Sequence, residues 1–529
     1  MKPRKCFVFV TMICMFFLTA LTGCTDSKET SKNVKQTDEN GKLVELSYFV
    51  PNYGPTTVIK DYNDIAAYQV LERETGIHVD FQHPASDSDE VTQQFNLMMA
   101  SGDLPDVIEY IWTNASGGPS KYLEGGQIIK LNKYIKKYAP NLSRVLKEHP
   151  DWKKQISTDD GSIYGFPFLR SDPELLTSYG PIIRKDWLDK LNLKIPTTID
   201  EWHNVLKAFK EKDPNGNGKA DEIPLLPALT SNAFIGAWGI TPDFYQVNGK
   251  VKYGPTEPEF KAFLKVMHQW YKEGLIDKGY VATDGKLQDA KVTGNKLGAF
   301  MGYNGGSLGR YMGLMKEKNP DFRLEGIPYP TLQKGEKPIV GQKDSNFNGV
   351  AAAISGDNDH VKQTMKWLDR AYSDKGHLLF NFGVEGKSYK MVDGKPKYTK
   401  KITDNPDGLP MQEALAKYVR VAWSGPFVQD KGYVEQYYQL PEQKTALKNW
   451  SNAKNDILLP PITATPEESK QLSSIMNDIN TYRETMVNKF VMGKEPLSKF
   501  DSFVKTLKGM GIEKAVKMKQ AALDRYNKR

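Results

Sequence analysis

Cysteine is nearly absent from this chain: three residues in 529, at Cys6, Cys14 and Cys24. Cys6 and Cys14 fall inside an apolar run, residues 6–21, behind the positive cluster Lys2, Arg4 and Lys5, which is the layout of a secretory leader. The run is too short, and meets polar residues too soon, to serve as a spanning helix. Once the leader is removed only Cys24 remains, so no internal disulfide can form. An exported chain without staples must be held by its core, and the length left is ample for two ordinary domains. A basic stripe is also missing. The net charge of +8 includes the three leader cations, so the mature form carries +5, with acidic and basic residues interspersed. That excludes a nucleic-acid surface. No HExxH motif, Cys/His cluster or fixed-period repeat is present, and Gly216-Asn217-Gly218-Lys219 runs into Ala220 with the wrong spacing for a P-loop.

Directly behind the apolar run stands Leu21-Thr22-Gly23-Cys24, which resembles the bacterial lipobox. It implies cleavage after residue 23 and acylation of Cys24, and two or more acyl chains anchor a protein stably where one does not. Residues 24–42 are polar, with Val34 as their one large apolar side chain, and read as a flexible tether. The expected location is the outer face of the bacterial cytoplasmic membrane, through the lipid.

The folded part opens on alternating periods. Residues 46–50 read as a strand, Ile65, Tyr68 and Leu71 as one helical face, and Ile77, Val79 and Phe81 as a strand. Val91, Phe95, Met98 and Met99 follow helical spacing, and residues 107–111 form a third strand. A β-α-β-α-β order predicts a parallel sheet with right-handed crossovers, and ligands in such sheets sit beyond the carboxyl ends of the strands. Further on, residues 182–191, 199–211, 259–273 and 361–372 carry helical spacing. The stripe Leu472, Ile475, Met476, Ile479, Tyr482, Met486, Phe490 does so over five turns.

At Asn96-Leu97-Met98-Met99-Ala100-Ser101-Gly102-Asp103-Leu104-Pro105-Asp106-Val107 the chain resembles extracellular solute-binding proteins of family 1, the receptors of ATP-driven sugar importers. Ile163-Tyr164-Gly165-Phe166-Pro167, Arg184-Lys185-Asp186-Trp187-Leu188, Pro196-Thr197-Thr198 and Asn381-Phe382-Gly383-Val384-Glu385-Gly386 match in order and spacing. The likeness is greatest to large lipoprotein members that bind alginate oligosaccharides or pectin- and glycosaminoglycan-derived sugars. It implies an α/β, two-lobed, periplasmic-binding-protein-like fold of type II, each lobe a mainly parallel sheet flanked by helices, with the ligand between lobes. The expected division is residues 43–180 with 325–382 in one lobe and 181–324 with 383–529 in the other, the chain crossing near 179–183, 323–327 and 380–386. Function then follows as expectation: a non-catalytic, monomeric receptor that captures an oligosaccharide and hands it to the membrane permease subunits of an ABC importer. The rivals are a surface polysaccharide-degrading enzyme and a peptide receptor.

Three constellations carry chemistry. In Asp213-Pro214-Asn215-Gly216-Asn217-Gly218-Lys219-Ala220-Asp221-Glu222, oxygen ligands occupy EF-hand positions 1, 3, 5 and 9, glycine sits at 6, and the Lys219 carbonyl sits at 7. Position 12 is Pro224, so Asp221 and Glu222 are left to supply the last carboxylates, a variant that resembles the calcium sites of the alginate-binding relatives. A structural Ca²⁺ held by Asp213, Asn215, Asn217, Lys219, Asp221 and Glu222 is the expectation; an Asn/Gly turn that merely ends the preceding helix is the alternative.

Sugars present apolar C–H faces to flat rings and hydroxyls to hydrogen-bonding groups. Trp187, Trp202, Trp270 and Trp367 sit in helical patterns and read as core. Trp112 with Asn114 after a strand, Trp238 in a glycine-flanked turn, Trp423 before Ser424-Gly425-Pro426, and Tyr303 with Asn304 after the strand at 297–301 are the ligand candidates. Glu385 and Tyr389 join them through their place at the implied third crossing. Arg420 reads equally as a partner for an acidic sugar or as a solvated helix residue.

Gly305-Gly306-Ser307-Leu308-Gly309 matches the G-x-S-x-G nucleophile elbow, with His360 and His377 downstream as candidate bases. The resemblance instead puts a ligand-contacting loop here, and no catalytic residue is expected.

Overall fold

The computed structural model of the chain describes residues 44–52, 54–84, 88–420 and 424–529. Cys24, the leader, the tether and Trp423 lie outside the described residues. Strands in chain order are β1 (Glu45–Phe49), β2 (His78–Gln82), β3 (Val107–Ile111), β4 (Phe166–Arg170), β5 (Tyr179–Arg184), β6 (Ile223–Leu226) and β7 (Phe244–Val247), followed by β8 (Lys250–Tyr253), β9 (Leu297–Tyr303), β10 (Leu324–Gly326), β11 (Phe347–Ile354), β12 (Tyr389–Val392), β13 (Lys395–Tyr398) and β14 (Val428–Gln429).

The periodicities of the first hundred residues come out as read. Leu46, Tyr48, Val79 and Phe81 are buried, and the helix Ser88–Ser101 turns Val91, Phe95 and Met99 inward. β1 pairs in parallel with both β2 and β3. The first sheet has the order β14-β4-β11-β3-β1-β2, and the second has β10-β5-β9-β6. Each is mainly parallel with one strand reversed: β11 runs against β3 and β4, and β5 runs against β9 and β10. The reversed strands are those that enter each lobe after a crossing. Helices cover both faces, so the central strands β3 and β9 are buried along nearly their whole length, with Glu109 the one charged residue among them.

Two separate apolar cores follow the two sheets. Trp112, Trp152, Trp367 and Phe166 fill the first, and Trp187, Trp202, Trp270 and Trp450 fill the second. The described chain passes between them at 171–178, at 342–346 and at 438–440. The first two passages are stitched together: Ser178 N donates to Gln342 Oε1 (2.9 Å), Asp344 N to the Leu176 carbonyl (2.8 Å) and Arg170 N to the Asn346 carbonyl (2.9 Å).

This corrects the expected division. β10, Ile327 and Tyr329 belong to the second core, so the return to the first lobe comes some twenty residues later than expected. The segment that carries Tyr389, Tyr398, Leu415, Phe427 and Tyr438 packs in the first core, not the second. Only with the helix Pro441–Trp450 does the chain rejoin the second lobe, where the Trp450 ring lies on Gly180 and Gly326; neither position has room for a Cβ. Residues 182–184, expected to open a helix, finish β5 instead, and the helix is Lys185–Lys190. The long stripe is the helix Pro466–Met492. A reciprocal Thr465–Glu468 capping box opens it, and left-handed Gly493 closes it at φ 72°. Among the described residues no helix is long and apolar enough to cross a membrane.

Candidate functional site

The carboxyl ends of β3 in the first lobe and of β6 and β9 in the second face one cleft. After β3 the chain turns through Thr113 and Asn114 and enters the helix Gly118–Glu124 by way of Gly117 and Gly118, both at positive φ (90° and 63°). The Gly117 N–H donates to Ser469 Oγ of the second lobe at 3.1 Å. Behind this contact lies a cavity of about 270 Å³, walled by Thr113, Gly118 and Pro119 from one side and by Thr463, Ser473, Asn480 and Lys519, among others, from the other. A second cavity, of about 310 Å³, runs toward the hinge past Tyr179, Ser231, Asn232, Gln342 and Lys343. Asp243 and Phe244 line both, so the two adjoin.

Two rings stand at the hinge side. Tyr303, 58% exposed at the end of β9, meets the Tyr179 ring at 4.9 Å between centroids and 60° between planes. Burial raises the Tyr179 phenol to about 12, with Tyr303 adding to it, so it stays a neutral hydrogen-bonding group at any physiological pH. Hydroxyl, amide and carboxyl groups of Thr113, Ser231, Asn232, Gln342, Asn480 and Asp243 surround the space. A cleft of this make-up offers ring faces and hydrogen-bonding groups together.

Of the candidate ligand residues, the structure sets the exposed Tyr303 against the cavity-lining Tyr179 and leaves Asn114 exposed next to the cavity-lining Thr113. The others go elsewhere. Trp112 is fully buried, its Nε1 donating to the Ala351 carbonyl (2.9 Å), with Phe95, Tyr122 and Tyr164 against its ring. Trp238 is half-buried with its edge toward Phe263 and lines neither cavity. Asn304 is fully buried and exchanges two hydrogen bonds with the backbone and side chain of Gln443 (2.9 and 3.0 Å), tying the loop after β9 to the helix that follows the third crossing. Tyr389 is buried under the β12–β13 hairpin against Phe382, and Glu385 is exposed on the loop before it, away from both cavities. Arg420 is neither a ligand group nor solvated. It forms a bidentate pair with Glu109 at 2.8 and 2.6 Å inside the first core, over the Tyr62 ring, and Tyr48 Oη donates to the same carboxylate.

The elbow motif carries no catalytic geometry. Ser307 is buried within a π-helical turn, and among the described residues its Oγ bonds only the Tyr303 N–H (3.2 Å). His377 lies in the other lobe, paired with Asp430 at 2.8 Å. Tyr179, Asp243, Phe244 and Lys519 were not singled out from the sequence. A Pro-Asp-Phe turn and a lysine on a terminal helix carry no signal of their own, and only the fold brings them together.

The acidic loop leads into the amino end of β6, the end opposite the one that faces the cleft. Asp213, at φ 45°, accepts from Gly216 N and Asn217 N through Oδ1 (2.9 and 3.1 Å) and from Gly218 N through Oδ2 (3.0 Å). Asn215 Oδ1 accepts from Asn217 N, and Asn217 Oδ1 from Lys219 N. Asp221 takes both Asn side-chain amides on Oδ1 and Lys296 on Oδ2, which together hold its carboxyl down to about 2. Glu222 is different. Both its oxygens are buried, and only the Asn215 and Glu222 N–H groups lie near, outside hydrogen-bond geometry. Burial, with repulsion from Asp213 and Asp221, raises its carboxyl above the usual range. A cation would satisfy that carboxylate, so the residues fit one. Among the described residues no three His, Cys, Asp or Glu side chains converge to hold a metal alone. A cation here would therefore also need amide and backbone oxygens, which suits a hard ion.

Residues 33–377 match the family model described as bacterial extracellular solute-binding protein. The chain belongs to that family. The fructooligosaccharide ABC transporter substrate-binding protein FusA of Streptococcus pneumoniae is 28% identical over 500 residues, 88% of each chain. Lipoprotein LipO of Bacillus subtilis is 28% identical over 419 residues, 75% of this chain and 76% of its own. Among solved structures, the alginate-binding protein AlgQ2 without calcium ion matches with TM-score 0.75 at 29% identity, over 91% of this chain and 98% of that one. An EF-hand mutant of FusA in complex with fructo-nystose matches with TM-score 0.73 at 25% identity, over 91% and 99%. The two-lobed solute-binding fold and the non-catalytic, binding nature of the protein agree with the expectations from sequence.

Proposed function

We propose that this protein captures an oligosaccharide in the interlobe cleft and delivers it to an ABC-type importer, while a lipid on Cys24 holds it at the outer face of the cytoplasmic membrane. The observation that carries the reading is the Tyr303–Tyr179 ring pair beside a cleft whose lining includes the hydroxyls and amides of Ser231, Asn232 and Gln342. Ring faces take the C–H side of a sugar, and the polar groups take its hydroxyls. The ligands named for FusA and AlgQ2 support a glycan, and the LipO name supports the anchor. The receptor signals by closing: a ligand that touches both lobes favours the closed arrangement by its differential contacts, and the permease reads that arrangement.

Calcium belongs to the same reading. Asp213, Asn215, Asn217, Asp221, Glu222 and the Lys219 carbonyl would hold it, and bound there it neutralises the carboxylates that otherwise repel one another. Its place at the amino end of β6, away from the cleft, makes it a brace for that strand, with no part in contacting sugar.

The test is a thermal-shift screen of the lipid-free domain against neutral and acidic oligosaccharides, since a ligand of the native state raises the melting temperature. A panel-wide absence of shift, together with a shift from peptides, would replace the glycan by a peptide ligand.

A further inference from the structure

We propose that the hairpin β12–β13 rests on the anionic headgroups of a lipid bilayer and so fixes which side of the first lobe faces the membrane; this rests on the protein being held there by a lipid. The two strands form a two-stranded sheet of their own and turn through Asp393 and Gly394, at φ 50° and 73°. Directly opposed residues share a face. On one face Tyr389 is opposed to Tyr398, and both are buried against Phe382. On the other face Lys390 is opposed to Lys397 and Val392 to Lys395, and all four are exposed. Met391 and Val392, at the tip, are 43% and 47% exposed. Over residues 387–401 six exposed lysines stand against a single acid, Asp393. Among the described residues none of the six ammoniums has an ion-pair or hydrogen-bonded partner. Glu385, Asp404 and Asp407 lie outside this stretch, and Glu174 and Glu435, which line a cavity with Lys397, form no ion pair with it.

Two ammoniums set directly across a strand pair repel each other and weaken the hairpin that carries them. Met391 and Val392 beside them take no part in the first core. One occupant answers both features: a surface that is negative on the outside and apolar just beneath. Lysine heads meet the headgroup phosphates there, with their stems along the apolar region. Met391 and Val392 enter the boundary between headgroups and acyl chains. A soluble polyanion would answer the ammoniums and leave the apolar tip in water. Distance permits the contact. With a lipid on Cys24, residues 25–43 are the chain between bilayer and body, nineteen residues that reach at most roughly 65 Å. Each lysine close to an anionic leaflet multiplies the partition coefficient roughly fivefold. Acyl chains already hold the protein, so what the hairpin contributes is orientation: a second point of attachment, favoured by the high effective concentration that the first one imposes.

The experiment uses the full mature chain with Cys24→Ser, which carries neither thiol nor acyl chain, and vesicles of phosphatidylcholine alone or mixed equally with phosphatidylglycerol. Cosedimentation should show binding to the mixed vesicles, weakening as salt rises, and none to phosphatidylcholine. Lys390→Gln, Lys395→Gln and Lys397→Gln together should weaken that binding roughly 10- to 100-fold. The melting temperature should not fall, because the substitution removes an opposed pair of like charges. Arginine at the same three positions should keep the binding. Val392→Cys in the Cys24→Ser chain supplies a single thiol for an environment-sensitive dye, whose emission should shift to the blue on the mixed vesicles. The same dye on Leu287→Cys, an exposed position of the second lobe, should not respond. No binding to the mixed vesicles, equal binding to both kinds, an undiminished glutamine variant, or a dye at position 392 that stays unchanged while the protein binds would each overturn the proposal. A glutamine variant that binds vesicles as its parent does but supports less sugar uptake in cells would assign the hairpin to a protein contact instead. Failure of the anchor reading shows separately, as a native Cys24 that takes up no labelled fatty acid in cells, and the vesicle arms do not depend on it.

Discussion

Asp159 of the first lobe is held by the guanidinium of Arg529, at the end of the helix Ile512–Lys528 in the second lobe. Arg525 of the same helix reaches the same carboxylate, Arg529 also donates to the Ser157 and Lys154 carbonyls, and Thr463 and Glu468 complete the network. These bonds cross between lobes away from the hinge, next to the cavity-lining Thr463, so they exist only while the lobes are together. Asp159→Asn should weaken the closed arrangement by roughly 1–2 kcal/mol, between the values for exposed and buried ion pairs. Small-angle scattering should show a larger radius of gyration for the ligand-free variant, and ligand should leave faster. An unchanged radius and an unchanged dissociation rate would mean that the network plays no part in closure.

Tyr303 and Trp238 separate a ligand platform from a packed plug. Tyr303→Ala should lower sugar affinity by roughly 1–3 kcal/mol, on the scale of aromatic stacking on nucleic-acid bases, with little change in melting temperature because the ring is mostly exposed. Trp238→Ala should do the reverse, costing stability through its lost contact with Phe263 and sparing affinity. Titration and melting of both variants decide the matter; if affinity tracks Trp238 and not Tyr303, the cleft is misassigned.

The Arg420–Glu109 pair is 1% and 2% exposed at its side chains. Removing one partner strands a charge in the first core. Arg420→Met should therefore destabilise the protein by about 3–5 kcal/mol, whereas Arg420→Met with Glu109→Met should recover most of that. Denaturant unfolding of the two variants checks it, and a double variant no better than the single would point to lost packing as the cause.

Chelator should lower the melting temperature of the native protein. A cation at 100 times its dissociation constant stabilises the fold by about 2.7 kcal/mol, one near its dissociation constant by only about 0.4, so the drop ranges from a degree to several. Asp213→Ala should reproduce the loss in calcium. It also frees three backbone N–H groups, so Glu222→Gln is the cleaner control: it should abolish the calcium response and leave the chelated protein no less stable. Identical melting of the unmodified protein in calcium and in chelator, with no metal found by elemental analysis, would reduce the loop to a turn.

Amino-acid order by itself determined the parts that rest on local physics. Period-two and period-3.6 patterns placed β1, β2, β3 and the helices between them, because each segment must turn its own apolar face inward. The loop chemistry at 213–222 was equally legible, since the candidate oxygens are neighbours in the chain. Tertiary structure decided everything that depends on distant partners. Trp112 ends a strand whose two faces are both covered, so position at a strand end did not tell ring-in-core from ring-in-cleft. Arg420 reads as a surface residue until Glu109, 311 positions away, supplies its counter-charge. Segment 389–438 had amphipathic elements that would suit either lobe, and the first core is where they pack. Lys519 acquired meaning only when its helix was laid along the cleft. Hydrophobic burial is non-directional: the pattern says that a face will be covered, and only the packed whole says by what.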